Sequence, residues 1–269
     1  METIRVVVNG ASGKMGREIV RALCCEPETE VVGAAEKEVS SEFYLPLPDC
    51  CETAVPFSSN LDYILTSCQP DVLVDFTIAQ ATMPAVRLAA KYGVHLVIGT
   101  TGLNAGDLSE IDQLSKAHKV GAVVASNFAL GAVIMMHLAR VAARYMDYAE
   151  IIELHHPYKA DAPSGTALST ARAMAIARGK PFSCPPEREK SAPSRGELVE
   201  GVSIHSVRLP GLLAHQEVIL GAAGQTLTIR HDTISRECYM PGIILAIKEV
   251  VKRQGLVYGL DALLGLQEE

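Results

Sequence analysis

Long apolar runs are missing from this 269-residue chain. The longest candidate, Gly131 to Ala143, is broken by His137 and Arg140, short of the roughly 18–20 apolar residues that a membrane span needs. No membrane partner is therefore expected. The start, Met1-Glu2-Thr3-Ile4-Arg5, has no basic segment, apolar core and cleavage site of a secretory or transit peptide, which predicts a cytoplasmic protein. Positive charge is in deficit, 24 Lys+Arg against 31 Asp+Glu for a net charge of −7. That balance repels polyphosphate as a whole and argues against nucleic acid as a partner, so any anion has to be captured locally. Cys-x-x-Cys spacing is absent too. The seven cysteines are odd in number, with adjacent pairs at Cys24-Cys25 and Cys50-Cys51, and read as reduced thiols rather than disulfides or metal ligands. There is no internal repeat and no low-complexity tract.

What is present is a composition of 48% hydrophobic and 20% charged residues, with a mean hydropathy of +0.19, suited to a well-buried fold with room for two modest domains. In the first half, short β-branched runs (Ile4–Asn9, Val31–Ala35, Asp71–Phe76, Val94–Ile98 and Gly121–Ala125) alternate with helical patterns. Strands of this kind, joined by helices and buried on both faces, predict an α/β, doubly wound parallel sheet over residues 1–126. Beyond Asn127 the alternation stops. An amphipathic stretch at Leu130–Tyr145, a strand at Ala149–His155 and a helix from about Ser164 lead to runs at Val202–Leu209, Gln216–Gly221 and Gln225–His231. These last three read as antiparallel strands, with Gly221-Ala222-Ala223-Gly224 as a hairpin turn. Residues 127–236 are thus expected to form a second, α+β domain with an open mixed or antiparallel sheet. Pro181 to Pro193 reads as a mobile loop, and Ile243–Val251 and Leu260–Leu266 as helices.

The first candidate site is Gly10-Ala11-Ser12-Gly13-Lys14-Met15-Gly16-Arg17, which follows a strand and opens a helix. Glycine permits the tight turn and the close approach of backbone to a pyrophosphate, whose charge then faces the free N–H groups at the helix start. Glu36 stands at the end of the second strand, 20 residues beyond Gly16, where a carboxylate accepts hydrogen bonds from both ribose hydroxyls of NAD. Lys37 and Lys14 supply cations that offset its repulsion of a 2′-phosphate, so either NADH or NADPH is expected. Asp75-Phe76-Thr77 and Gly99-Thr100-Thr101-Gly102 fall at the carboxyl ends of further strands, where open α/β sheets bind ligands. Thr77, Gly99, Thr100 and Thr101 accordingly read as contacts to the nicotinamide half, joined at the domain junction by Ala125, Ser126, Asn127 and Phe128.

The second site is denser. In Glu153-Leu154-His155-His156-Pro157-Tyr158-Lys159, two imidazoles and an ammonium leave a strand together. They can supply both a proton donor near neutral pH and positive charge for an anion. Pro163-Ser164-Gly165-Thr166 then opens a helix, with Ser164 as N-cap and the N–H groups of Gly165 and Thr166 free for a carboxylate. No metal is expected, because Glu153, His155 and His156 lack the spacing of a zinc helix and Lys159 repels a cation. Asp161 reads as a turn residue or a partner of Lys159. His205, His215, His231, Arg208 and Arg236 read as surface or sheet-pairing residues, with Arg236 also a candidate for a second carboxylate.

The string Glu153-x-His155-His156-x-x-Lys159-x-Asp161-Ala162-Pro163-Ser164-Gly165-Thr166-Ala167 closely resembles the signature of the dihydrodipicolinate (4-hydroxy-tetrahydrodipicolinate) reductase family. The glycine motif, Asp75-Phe76-Thr77, Gly99-Thr100-Thr101-Gly102 and Asn127-Phe128-Ala129-Leu130-Gly131 resemble it in the same order, over nearly the whole chain. The resemblance implies a Rossmann-like fold and reduction of a cyclic dicarboxylate by NADH or NADPH in the diaminopimelate route to lysine. His155 is then the general acid, Lys159 a proton donor and substrate clamp, and His156, Gly165 and Thr166 are substrate contacts. It further implies that residues 237–269 complete the nucleotide domain, and that residues 127–236 bind substrate and assemble a homotetramer. The sequence departs from some members at Ile78, where they carry a basic residue, and at Val133, where they carry asparagine. Two rivals are a dehydrogenase of another amino-acid-derived substrate such as aspartate, which the His-His-x-x-Lys and Pro-Ser-Gly-Thr elements disfavour, and a non-catalytic dinucleotide sensor, which the intact His155 and Lys159 disfavour.

Overall fold

The computed structural model describes residues 3–38, 44–46, 54–183 and 193–266. In chain order the elements are β1 (Ile4–Asn9), α1 (Lys14–Cys24), β2 (Thr29–Ala35), β3 (Tyr44–Pro46), β4 (Ala54–Ser58), α2 (Leu61–Cys68), β5 (Val72–Asp75), α3 (Ala79–Lys91), β6 (His95–Ile98), α4 (Ala105–His118) and β7 (Gly121–Val124). They continue as α5 (Leu130–Ala143), β8 (Tyr148–His155), α6 (Gly165–Arg178), β9 (Glu197–Val199), β10 (Val202–Arg208), β11 (Ala214–Ala222), β12 (Gln225–Thr233), α7 (Met240–Val250), β13 (Gly255–Tyr258) and α8 (Leu260–Leu263). The chain divides into two units, Met1–Leu130 with Tyr239–Glu269, and Gly131–Cys238. Most of the 181–193 loop, together with Cys50-Cys51, lies outside the described residues.

The first unit is built on an eight-stranded sheet in the order β13-β7-β6-β5-β1-β2-β4-β3. Every neighbouring pair is parallel except β3 with β4. Its central strands each carry a fully buried run: Val6, Val7 and Val8, Val72 to Val74, and Leu96 to Ile98 have no exposed surface. That explains their unbroken β-branched runs, since helices cover both faces. On one face Ile64, Leu65, Met83, Val86, Ala89 and Ile111 from α2, α3 and α4 pack on Val7, Leu73, Leu96 and Ile98. On the other, α1 and α7 lie together, and Lys248 of α7 ties back to Glu26 at 3.0 Å and to Glu28. All parallel strands end at one edge, and the order reverses between β1 and β5, the switch point where such sheets bind ligands.

The second unit carries a five-stranded sheet, β12-β11-β8-β10-β9. One face is covered by α5 and α6, whose Ala139, Ala143, Ala167, Ala171 and Met174 pack on Ile151, Ile204, Val218 and Leu220. Antiparallel pairing holds for β8 with β11, β11 with β12 and β9 with β10. The expectation for Val202–Leu209 is corrected: β10 runs parallel to β8. The reason is the intervening helix, since β8-α6-β10 is a crossover, and a crossover returns the chain in the same direction. The hairpin turn is also tighter than the four-residue reading, because Ala222 and Gln225 pair and leave Ala223-Gly224 at the tip, with Gly224 at φ +73°.

At the far edge of the first sheet His95 accepts the Gly121 N–H on Nδ1 at 2.8 Å. Burial lowers its pKa from 6.5 against the opposing influence of Asp71 and a bond to Val250. A group that stays neutral in the fold but protonates when unfolded costs stability as pH falls below its ordinary value. The urea midpoint is therefore expected to drop below pH 6.5, with a shallower drop in His95→Gln. Equal slopes in the two proteins would contradict this.

Candidate active site

The glycine motif folds as a turn from β1 into α1. Gly10 takes φ +81°, and the N–H groups of Gly10 and Ala11 both donate to the Ala35 carbonyl at 2.9 and 3.2 Å, pinning the turn to the end of β2. Gly16 backs onto the Gly10 carbonyl and the Ala11 backbone so closely that any Cβ would overlap them. Gly13 caps α1 without a side-chain hydrogen bond, so no side-chain oxygen claims the N–H groups of the first turn. Glu36 accepts the Ser12 N–H at 3.1 Å and the Lys37 N–H at 3.0 Å, which draws the acidic strand end to the glycine turn. Lys14 and Lys37 are exposed and Met15 is half-buried.

Beside this turn, across the β1/β5 switch point, Asp75 is buried at 1% exposure. It accepts Asn9 Nδ2 at 2.7 Å, and the hydroxyls of Thr77, Thr100 and Thr82 at 2.8, 2.9 and 3.0 Å. Thr77 also donates its N–H to Thr100 Oγ1 at 3.1 Å. The side chains of Thr77 and Thr100 are thus turned inward to shape the loops, while Thr101 and Ser126 are exposed. Gly99 lies against the Phe76 ring, which leaves no room for a Cβ. Phe76 in turn meets Phe128 with ring centroids 5.4 Å apart. Ala125 donates to the Ile98 carbonyl at 3.1 Å, and Asn127 Oδ1 accepts the Ala129 N–H at 2.9 Å. Every residue from the first motif therefore gathers at the carboxyl edge of this sheet.

In the second unit, β8 brings Ala149, Ile151 and Glu153 to its covered face, and Glu153 has no exposed surface. Its carboxylate accepts Arg208 Nη1 and Nη2 at 2.9 and 2.8 Å, the Ser164 N–H at 3.2 Å, and His155 Nδ1. Burial pushes this carboxyl up, but the hydrogen bonds from His155 and Arg208 outweigh it and hold its pKa at about 2. Facing an ionised carboxylate, Nδ1 of His155 carries a proton, and Nε2 is the ring atom left free. Ser164 caps α6 by accepting the Ala167 N–H at 3.2 Å, and Gly165 is exposed with open space beside it. Lys159 Nζ contacts Asp161 at 2.7 Å and lowers its pKa. His156 Nδ1 is buried with no hydrogen-bond partner among the described residues. A proton-bearing imidazole, an ammonium and an open helix start thus share one loop, residues 155–166.

Two family models match the chain. Dihydrodipicolinate reductase, N-terminus, covers residues 4–128, and dihydrodipicolinate reductase, C-terminus, covers residues 131–264. The chain belongs to the dihydrodipicolinate reductase family. Among relatives, the 4-hydroxy-tetrahydrodipicolinate reductase of Dehalococcoides mccartyi strain 195 is 56% identical over 99% of this chain and 100% of its own length. That of Moorella thermoacetica is 51% identical over 97% and 98%. The dipicolinate-bound dihydrodipicolinate reductase from Paenisporosarcina sp. TG-14 superposes with a TM-score of 0.85 at 38% identity, over 97% of this chain and 99% of that one. As a family member the chain is an oxidoreductase, and its Rossmann-like unit serves a nicotinamide dinucleotide.

Arg208 pairs in the sheet opposite His155, but its side chain does more than its strand position suggests. It grips Glu153 with both terminal nitrogens, and Nη2 also donates to the Asp161 carbonyl at 2.7 Å. Glu153 itself opens the motif in the sequence but is given no role there beyond that of a rejected metal ligand. One signal marked it: it continues the buried Ala149-x-Ile151 alternation as a charged residue, which demands a partner on the same face.

Proposed function

We propose that this chain catalyses the NAD(P)H-dependent reduction of 4-hydroxy-tetrahydrodipicolinate to tetrahydrodipicolinate in the diaminopimelate route to lysine. The observation that carries this reading is the arrangement of His155 on buried Glu153, beside the Ser164-capped start of α6 and Lys159. The bound dinucleotide supplies the hydride. His155 donates the accompanying proton from Nε2, and Lys159 clamps the substrate and acts as a second proton donor. A ring carboxylate is held by the Gly165 and Thr166 N–H groups and His156, whose unpartnered Nδ1 suits an acceptor or donor on the ligand. Charge-assisted contacts on several sides pre-position the ring, and orientation of this kind lowers a barrier by several kcal/mol.

The glycine turn fits the cofactor on two observations, the absence of a capping side chain at Gly13 and the close backbone packing at Gly16. Gly10, Ala11, Ser12, Gly13, Lys14 and Met15 would hold the pyrophosphate. Glu36 would take the ribose hydroxyls, with Lys14 and Lys37 admitting a 2′-phosphate. Thr77, Gly99, Thr100, Thr101 and residues 125–128 would line the nicotinamide half. Both NADH and NADPH are thus proposed as reductants. The test is absorbance decay at 340 nm with freshly made substrate and each cofactor in turn. No decay with either overturns the function, and decay with aspartate-type substrates instead would favour the rival dehydrogenase.

Among the described residues the sheet of the second unit has one face without helices, where Ile152, Leu154 and Ile219 alternate with the covered residues. A homotetramer is proposed through this face, whose apolar residues stand among the ion pairs Glu150–His205 and Glu217–Arg230. A monomer mass in sedimentation equilibrium would refute that. Among the described residues no helix is long and apolar enough to cross a membrane. A cytoplasmic location is proposed, which recovery in the membrane fraction of cells would contradict.

A further inference from the structure

We infer that Glu153 and Arg208 are positioning residues that set the proton donor and the anion-binding helix start from one buried group. The inference rests on the function proposed above. Glu153 is completely buried, and His155 Nδ1, the Ser164 N–H and both terminal nitrogens of Arg208 reach it from three separate parts of the second unit. These are the imidazole at the end of β8, the guanidinium at the end of β10 and the backbone N–H of the α6 cap. A carboxylate in such a place is costly unless every lone pair is used, and here each bond fixes something the reaction needs. The Nδ1 bond sets the plane of the His155 ring and turns Nε2 outward. The Ser164 bond anchors the residue whose neighbours Gly165 and Thr166 present their N–H groups. Arg208 locks the carboxylate in a two-pronged grip and reaches on to the Asp161 carbonyl, steadying the loop that carries Lys159.

The chemistry follows from the proton count. In the imidazolium form both ring nitrogens are donors. When the Nε2–H bond breaks and its proton bonds to the substrate carbon, the ring becomes neutral while the other proton stays on Nδ1, hydrogen-bonded to the Glu153 carboxylate. The carboxylate is therefore matched to the charged form before transfer and to the correct tautomer after it.

Glutamine at position 153 keeps the shape and removes this match. Its amide nitrogen is excluded from the Oε1 site, where two donors, Arg208 Nη2 and the Ser164 N–H, converge. At the Oε2 site it meets one obligate donor, Arg208 Nη1, beside His155 Nδ1, whose role can reverse with the tautomer; it therefore takes that site, gives up the Nη1 bond and donates to His155 Nδ1, which then carries no proton. Glu153→Gln is expected to lower kcat about 100-fold with KM changed less than about threefold. The ¹⁵N-imidazole spectrum of His155, assigned by its loss in His155→Asn, is expected to switch from Nδ1–H to Nε2–H. A merely structural residue would move neither the tautomer nor kcat selectively. Should the single variant fail to fold, Glu153→Gln with Arg208→Gln removes both buried charges and is read by the same kcat. A folded variant with kcat within about threefold of wild type, or Glu153→Gln with an unchanged imidazole spectrum, overturns the inference. If the wild-type chain shows no turnover, the proposed function fails, and the spectrum alone then decides the role of Glu153.

Discussion

Replacing Lys159 by alanine is expected to lower kcat/KM by about 10³-fold, while dinucleotide affinity stays within about twofold. The side chain is mostly buried, at 23% exposure, with Nζ 2.7 Å from Asp161. An ammonium placed this way contributes a charge-assisted hydrogen bond to a ligand carboxylate, of about 1.5–3 kcal/mol, and a proton donor besides. The two contributions separate in Lys159→Arg. Arginine restores charge and hydrogen bonding but does not release a proton near neutral pH. If Lys159 serves as clamp alone, arginine recovers most of the lost activity. If it also delivers a proton, KM recovers and kcat does not. The glycine turn and Glu36 are untouched by either change, so a titration of NADH fluorescence serves as the internal control. Survival of Lys159→Ala turnover within about threefold would remove Lys159 from the mechanism.

The fold was legible where local chemistry decides it. Runs such as Val6-Val7-Val8 and Leu96-Val97-Ile98 are apolar at successive positions because they are covered on both faces, and only a sheet layered between helices needs that. Ser164 announces α6 because a hydroxyl at an N-cap has a backbone partner within the same turn. What stayed hidden depends on distant pairing. β13, a four-residue strand, joins β7 across more than a hundred residues, and nothing in Gly255-Leu256-Val257-Tyr258 names that neighbour. β4 contains Pro56, which marks a run against central strand character. The parallel sense of β10 and the grip of Arg208 on Glu153, separated by 55 positions, share one origin. Once the β8-α6-β10 crossover sets the register Arg208↔His155, the guanidinium has the buried carboxylate within reach. Residue types at the site were readable from the sequence, whereas the group that organises them required the register.

The same distinction separates two glycines of the first motif. In Gly16→Ala the new Cβ would overlap the Gly10 carbonyl and the Ala11 backbone, none of which can swing aside as a flexible side chain would. The first turn of α1 then has to move away from the β1 turn, carrying with it the N–H groups meant for pyrophosphate. Overpacking of this sort costs about 1–3 kcal/mol, and dinucleotide affinity is expected to fall by about 100-fold or more. Gly13→Ala is the matched comparison. Gly13 has φ −67°, an angle open to any residue, and its Cβ would meet only the Gly10 carbonyl at 3.2 Å. Its unfolding free energy is expected to stay within about 1 kcal/mol of wild type, even where a methyl at the cap hinders the phosphate. Urea unfolding and NADH titration of both variants read the two effects separately. Equal stability in Gly16→Ala and Gly13→Ala would mean that backbone contact at Gly16 does not hold α1 in register. In that case the spacing of the motif would be serving ligand approach alone.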